Sequence, residues 1–197
     1  MMTARIRLIY SKRGGACFVP HIALAQMFTR SAARAGIPLE MTQGFSPRAK
    51  ISFGPELPAG VVALNEPVDI FTHGHHPDIV ALINASLPEG FTVSRAIYPA
   101  EGTPNLGKSC KHAEYLLRTT NGHDLTQNAA KFWADSVILH ENIDGWSRLV
   151  ISEPAQNPIG GLVRHLIENE IISGWHEINA VRIAVGIYDR VSGSVKL

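Results

Sequence analysis

Ile6, Leu8 and Tyr10 alternate with Arg5, Arg7 and Ile9, the period-two signature of a strand with one buried face. Ser11-Lys-Arg-Gly-Gly breaks it. A helix is predicted from about Pro20, a residue suited to a first helical turn, with Leu24, Phe28, Ser31 and Ala35 on one stripe and Met27 beside them. Gly36 suits its C-terminal end and Pro38 closes it. Ala49–Gly54 reads as a strand, and Val68, Ile70 and Thr72 alternate with Asp69, Phe71 and His73 in another. Pro77–Leu87 predicts a short helix with Ile79, Leu82, Ile83 and Leu87 apolar, ended by Pro88-Glu-Gly, and Phe91–Tyr98 a strand. The order is β-α-β-β-α-β.

Pro99 to Cys110, rich in turn residues, reads as a linker, after which the order recurs. Glu114–Thr119 is a strand, and Asp124 opens a helix that runs to Ala134. Val137–His140 and Trp146–Ser152 form a hairpin around Glu141-Asn-Ile-Asp-Gly. Asn157-Pro158 starts a helix to Ile172, with the Asn as N-cap, and Ala180–Tyr188 is a last strand. The fold class predicted is α+β: two ferredoxin-like (βαββαβ) halves, residues 1–99 and 111–197 with 100–110 between them, forming antiparallel sheets with helices on one face.

The formal net charge of +1 excludes a protein that coats nucleic acid by bulk charge and leaves room for a local basic patch. Hydrophobic residues make up 45% of the 197 residues, which supports a folded core and argues against disorder. No apolar run approaches the ~18–20 residues of a membrane span, and the N-terminal residues lack a signal-peptide core. Cys17 and Cys110 form no metal motif, and spacing alone neither argues for nor excludes a disulfide between them. A reducing cytoplasm is the expected compartment.

With apolar side chains toward the helices, the other face of the first half carries Arg5, Arg7, Lys50, Ser52, Asp69, Phe71 and His73. That is a polar, mixed-charge surface with Phe71 as its one candidate for stacking a base. The alternative is that this face packs on the other half or on a partner with its charges paired. The densest set of turn residues, hydroxyls and cations lies in Gln43-Gly-Phe-Ser-Pro47 and the strand after it. Gly44 lets backbone N–H groups face an anion, Ser46 adds a hydroxyl, and Arg48 and Lys50 add charge. The competing reading is a plain turn with Phe45 tucked into the core.

Lys12 and Arg13 sit in a basic glycine loop ahead of a helix, either an anion site or a solvated loop without the P-loop spacing. His21, in the first turn of that helix, gains chemical interest if it meets the Gly44–Lys50 loop in space. His73, His75 and His76 match no standard zinc spacing and read as a loop. Glu66 and Asp69 could share acid–base work or neutralise cations across the sheet. In the second half Trp133, Trp146 and Trp175 read as core or interface aromatics, and Gly160-Gly161 as close packing or a phosphate contact. No Ser-His-Asp set, nucleophile elbow, HExxH or dinucleotide fingerprint is present.

Several of these pieces together resemble the radical SAM-linked protein family, a domain of unknown function found beside or fused to radical SAM proteins. They are Arg5–Tyr10 with Lys12, Phe18-Val-Pro-His21, Arg34-Ala-Gly-Ile-Pro38, Gln43-Gly-Phe-Ser-Pro47, Lys50-Ile-Ser-Phe-Gly54, Leu57-Pro-Ala-Gly60 and Glu66-Pro-Val-Asp69. The resemblance runs through the first half and fades in the second. Two departures stand out: Pro20-His-Ile-Ala23 replaces a Ser-His-Leu-Asp pattern, and Ser46, Arg48 and Ala49 fall within a Gly-Phe-Asn-Pro-His-Pro-Lys pattern. An Asp and a His are thereby absent, and Arg48 adds a fixed charge. The chain also lacks a Cys-x-x-x-Cys-x-x-Cys cluster motif of its own.

The resemblance implies a radical SAM partner and, through the family's gene neighbours, a role in RNA modification or processing. Combined with the cations, the expectation is an accessory domain, without a cofactor of its own, that binds RNA or another anionic ligand. Its ligand-binding residues would be His21, Gln43, Gly44, Ser46, Arg48, Lys50, Glu66 and Asp69, with Arg5, Arg7, Lys12 and Arg13 on nucleic acid. The alternatives are an RNA-modifying enzyme of pseudouridine-synthase-like layout, with Asp69 the nearest catalytic candidate, and a structural assembly module.

Overall fold

The computed structural model describes residues 3–197; Met1 and Met2, the start of the sequence-derived first half, lie outside the described residues. In chain order the elements of the first half are β1 (Thr3–Lys12), α1 (His21–Arg34), β2 (Ile51–Phe53), β3 (Val62–His73), α2 (Ile79–Asn84) and β4 (Phe91–Ile97). A short helix α3 (Leu106–Ser109) follows. Then come β5 (His112–Thr119), α4 (Thr126–Trp133), β6 (Val137–Ile143), β7 (Trp146–Ser152), α5 (Ile159–Glu168), β8 (Ile178–Asp189) and β9 (Ser194–Lys196). The protein is mixed α+β with a mostly antiparallel sheet.

Strand order explains how one sheet forms where two were expected. β4-β1-β3, with β2 on β3, continues directly into β8-β5-β7-β6. The join is a parallel pairing of β3 with β8, Val62 opposite Val181 and Ala63 opposite Arg182. Sequence alternation shows only the Val68–His73 stretch of β3, because Asn65, Glu66 and Pro67 interrupt the apolar pattern. The strand nevertheless runs on to Val62, and those extra residues make the join.

Helices pack on one face of the sheet. In the first half Leu24 and Phe28 of α1 and Ile79 and Ile83 of α2 bury against Ile6, Leu8, Val68, Ile70 and Val93. The period-two and period-3.6 stripes meet there as the sequence predicts. In the second half Ala129 and Trp133 of α4 and Leu162, Val163 and Leu166 of α5 bury against Tyr115, Leu117, Leu149 and Ile151. That second core also draws in Leu57, Val61 and Ala63 from before residue 99, and Leu106 and Cys110 from the predicted linker. Segment 100–110 is therefore structured. Asn105 Oδ1 accepts the Lys108 N–H at 3.1 Å and starts α3, and Leu106 and Cys110, four residues apart, turn into the core.

Smaller differences have local causes. β6 extends to Ile143, and the hairpin closes in two residues, Asp144 and Gly145, both at positive φ (50° and 78°). Pro158 caps α5, while Asn157 turns its amide to Ser136 Oγ (3.2 Å) and Ser152 O (3.0 Å). β9, unforeseen from sequence, crosses so near Gly186 that a Cβ there would lie 2.1 Å from the Lys196 carbonyl oxygen. Cys17 and Cys110 are both free and buried. Among the described residues, no helix is long and apolar enough to cross a membrane.

Candidate nucleic-acid interface

The sheet divides the predicted site residues between its two sides. On the helix-free face Arg7 and Ser52 both sit opposite Asp69, and Arg5 opposite Phe71. Arg7 grips Asp69 with two hydrogen bonds, Nε to Oδ1 at 2.7 Å and Nη2 to Oδ2 at 2.9 Å, and both residues are buried. The hydrogen bond to Asp69 holds the Arg7 pKa above its ordinary value. Residues 103 and 104 cross above this pair. Arg5 Nη2 donates to Thr103 O at 2.8 Å, and Arg7 Nη2 to Pro104 O at 3.3 Å.

This part of the face, expected to be open and polar, is therefore covered and internally neutralised, so Arg5 and Arg7 are committed to protein acceptors. Asp69 is held in the same pair, 1% exposed, and is not poised as a general base. Lys50 bridges to Glu40 at 3.3 Å and lies over the Phe71 ring, 4.4 Å from its centroid, so Phe71 is covered as well.

The Gln43–Pro47 turn stands clear of the sheet. Thr42 N–H donates to Arg48 O at 2.7 Å and Arg48 N–H to Thr42 Oγ1 at 3.1 Å, closing a finger whose tip is exposed throughout. Gly44 sits at φ 134°, a conformation that glycine tolerates. Phe45 is 110% exposed, so the reading that tucks it into the core is overturned. Gln43, Gly44, Ser46 and Arg48 remain available to a ligand.

On the helix side, His21 packs edge-on against Phe53, ring centroids 5.3 Å apart, and does not join Asp69 or Lys50 on the opposite face. Its Nδ1 is buried without a hydrogen-bond partner among the described residues, and burial lowers its pKa. Lys12 is also buried here; Nζ donates to Val19 O at 3.2 Å, and desolvation lowers its pKa. Glu66 is held bidentately by Arg182, at 2.7 and 2.6 Å. The same guanidinium donates to Pro55 O (2.9 Å), Glu56 O (3.0 Å) and Tyr115 Oη (3.5 Å). Glu66 thus belongs to the junction between the halves, while Lys12 and His21 pack within the first half, and Arg182, the hub of that junction, escaped sequence reasoning because it is an isolated cation on a buried strand.

What the sequence did not reveal is a groove along the helix-free face. β3 and β8 pair over two residues and then diverge, with Asn65 Nδ2 donating to Ile183 O at 3.0 Å beside the split. A cavity of about 400 Å³ opens there, lined by Ile9, Asn65, Arg95, Ile183 and the β9 segment. Through Asn65 it adjoins a second cavity bordered by Ser11, Arg13, Thr92 and Ser94, and through Arg13 and Gly90 a third at Gly14-Gly15. In the other direction, through Glu114 and Ile183, it adjoins a cavity of about 560 Å³ bordered by Leu116, Arg118, Ile143 and Trp146.

Arg13, Arg95 and Arg118 along this run are exposed, and none is in an ion pair among the described residues. By contrast Arg148 is held by Glu114 at 2.9 Å and Glu141 at 2.6 Å, and Lys196 by Asp189 at 2.6 Å. The alternation of Arg118 with buried Leu117 and Thr119 was a usable sequence signal for this face. Among the described residues, no three His, Cys, Asp or Glu side chains converge on a point that could hold a metal.

Residues 5–147 match the family described as uncharacterized protein conserved in bacteria (DUF2344). The chain belongs to that family. No curated protein matches the chain. Among solved structures, the acetolactate synthase small subunit from Thermotoga maritima aligns over 96% of this chain and 99% of that chain at 12% identity, with a TM-score of 0.28. A likeness at that TM-score carries no functional argument.

Proposed function

We propose that this protein is an accessory domain that holds RNA, built from two ferredoxin-like halves whose helix-free faces form one track for the strand. The observation that carries the reading is the run of adjoining cavities across both halves with Arg13, Arg95 and Arg118 along it, none in an ion pair among the described residues. Three cations spaced along an open sheet face suit a chain of phosphates better than a single compact anion. Arg48, on the exposed finger, is a further exposed cation outside this run of cavities. The predicted acid–base candidates favour holding over catalysis, since Asp69 and Glu66 are both spent in buried ion pairs.

The radical SAM partner rests on the sequence resemblance, which implies that chemistry on the bound RNA is supplied by that partner. Two measurements test the proposal. Binding of a tRNA and rRNA-fragment pool must weaken steeply with salt, because each phosphate contact releases counterions. Co-expression with a radical SAM protein must yield a complex that co-elutes in size-exclusion chromatography. Salt-insensitive or absent RNA binding contradicts the first part, and separate elution contradicts the second.

A further inference from the structure

We infer that the cavity around Trp146 is a stacking pocket for one base of the bound strand, so that the ligand is single-stranded at this end of the groove. The inference rests on the reading of the groove as an RNA track and adds a specific contact to it. Trp133, the tryptophan on α4, is 5% exposed and sits in the second-half core. Trp146 is half-buried and belongs to none of the buried clusters. It stands on the first residue of β7, opposite Ile143, on the helix-free face with Arg148.

Its cavity, about 560 Å³, is bordered by Leu116, Ile143 and Ile183 as apolar walls, by Arg118 as a cation, by Glu114 and Arg148, which pair with each other at 2.9 Å, and by Asp144 at the hairpin tip. The Arg118 guanidinium lies 5.9 Å from the centroid of the indole. A half-buried aromatic, apolar side walls and, over the ring, a cation in no ion pair among the described residues give a nucleotide what it needs: a ring to stack on once the guanidinium turns aside, and a charge for its phosphate. A paired duplex hides its base faces, so the pocket selects an unpaired base. The same chemistry would be met by a free nucleotide, and continuity with the rest of the groove favours the strand.

The test uses the full chain and its own fluorescence. With Trp133→Phe and Trp175→Phe in place, the remaining emission reports Trp146 alone. A single-stranded oligoribonucleotide should quench it, and the matching duplex should not. Trp146→Leu should weaken single-strand binding on the order of tenfold, in line with the loss of one stacked base, while Trp146→Phe should stay within about threefold because a ring is kept. If the wild type binds RNA in a salt-sensitive way and Trp146→Leu binds equally well, the stacking pocket is wrong and the groove reading stands. If no RNA binds at low salt, both are wrong. Quenching by a mononucleotide as tight as by the strand overturns the assignment to a strand.

Discussion

The Arg182 guanidinium meets the Glu66 carboxylate through two hydrogen bonds, of 2.7 and 2.6 Å, across the parallel strand pair that joins the two halves. Both side chains are buried, and the remaining donors of the guanidinium fix the 55–56 turn and Tyr115. This single pair ties a strand of the first half, a strand of the second and the loop that joins β2 to β3.

Removing one partner leaves the other charged and buried. Arg182→Met or Glu66→Gln alone should therefore destabilise by about 3–5 kcal/mol. The double variant should cost clearly less than the sum of the two, because no orphaned charge remains. Urea unfolding of the four proteins completes the cycle.

Burial also governs the thiols. The Cys110 thiol is pushed up to about 12 by desolvation, and that of Cys17 is raised for the same reason. The thiolate is the reactive form. Neither cysteine should react with a thiol reagent at neutral pH in the folded protein, and both should react on unfolding, which mass spectrometry would resolve by site.

Stability should rise with pH at two separate places. His21 and Lys12 both have folded pKa values below their ordinary ones, because burial disfavours the charged form. Between the folded and unfolded values the unfolded chain binds more protons, so stability increases with pH across each window. For His21 this stability is complete above the ordinary histidine range and is lost as pH falls through the lowered value. For Lys12 the gain comes as pH rises toward the ordinary lysine range. His21→Phe should flatten the acid-side slope and Lys12→Met the alkaline one, in thermal melts across pH.

Two phenylalanines separate core from surface. Phe28 is 1% exposed and packed against Tyr10 at 5.2 Å between centroids, so Phe28→Ala should cost about 3–5 kcal/mol. Phe45, at the tip of the finger, is fully exposed, and Phe45→Ser should change stability by no more than about 0.5 kcal/mol. A large loss at Phe45 would mean that the finger packs against the body of the protein.

These contrasts show what was legible in the sequence. The alternation of Ile6, Leu8 and Tyr10 and the α1 stripe through Leu24 and Phe28 revealed the first core, because both are local periodicities enforced by one buried face. The residues that join the halves were not legible. Ala63, Arg182 and Leu106 gain their meaning from contacts with residues distant in the chain, Arg182 and Glu66 being 116 residues apart, and nothing local marks them. The candidate site was half visible. The turn carrying Ser46 and Arg48 was visible as a turn and is exposed, but Arg5, Arg7 and Asp69 looked available, since a sequence does not show that residues 103–104 would lie over them. Arg95 and Arg118 were passed over because each is a lone cation on its strand, and only the sheet aligns them.

On the proposed function, the helix-free face binds RNA through Arg13, Arg95 and Arg118, which have no acidic partner among the described residues. The most direct test is a salt titration of RNA binding for wild type beside an Arg13→Ala/Arg95→Ala/Arg118→Ala triple variant. The variant should fold normally, bind more weakly at every salt concentration, and have a log–log salt slope shallower by about three contacts' worth, with each contact near 0.9 or less. An unchanged affinity and slope in the triple variant would contradict it, because the phosphates would then be held elsewhere.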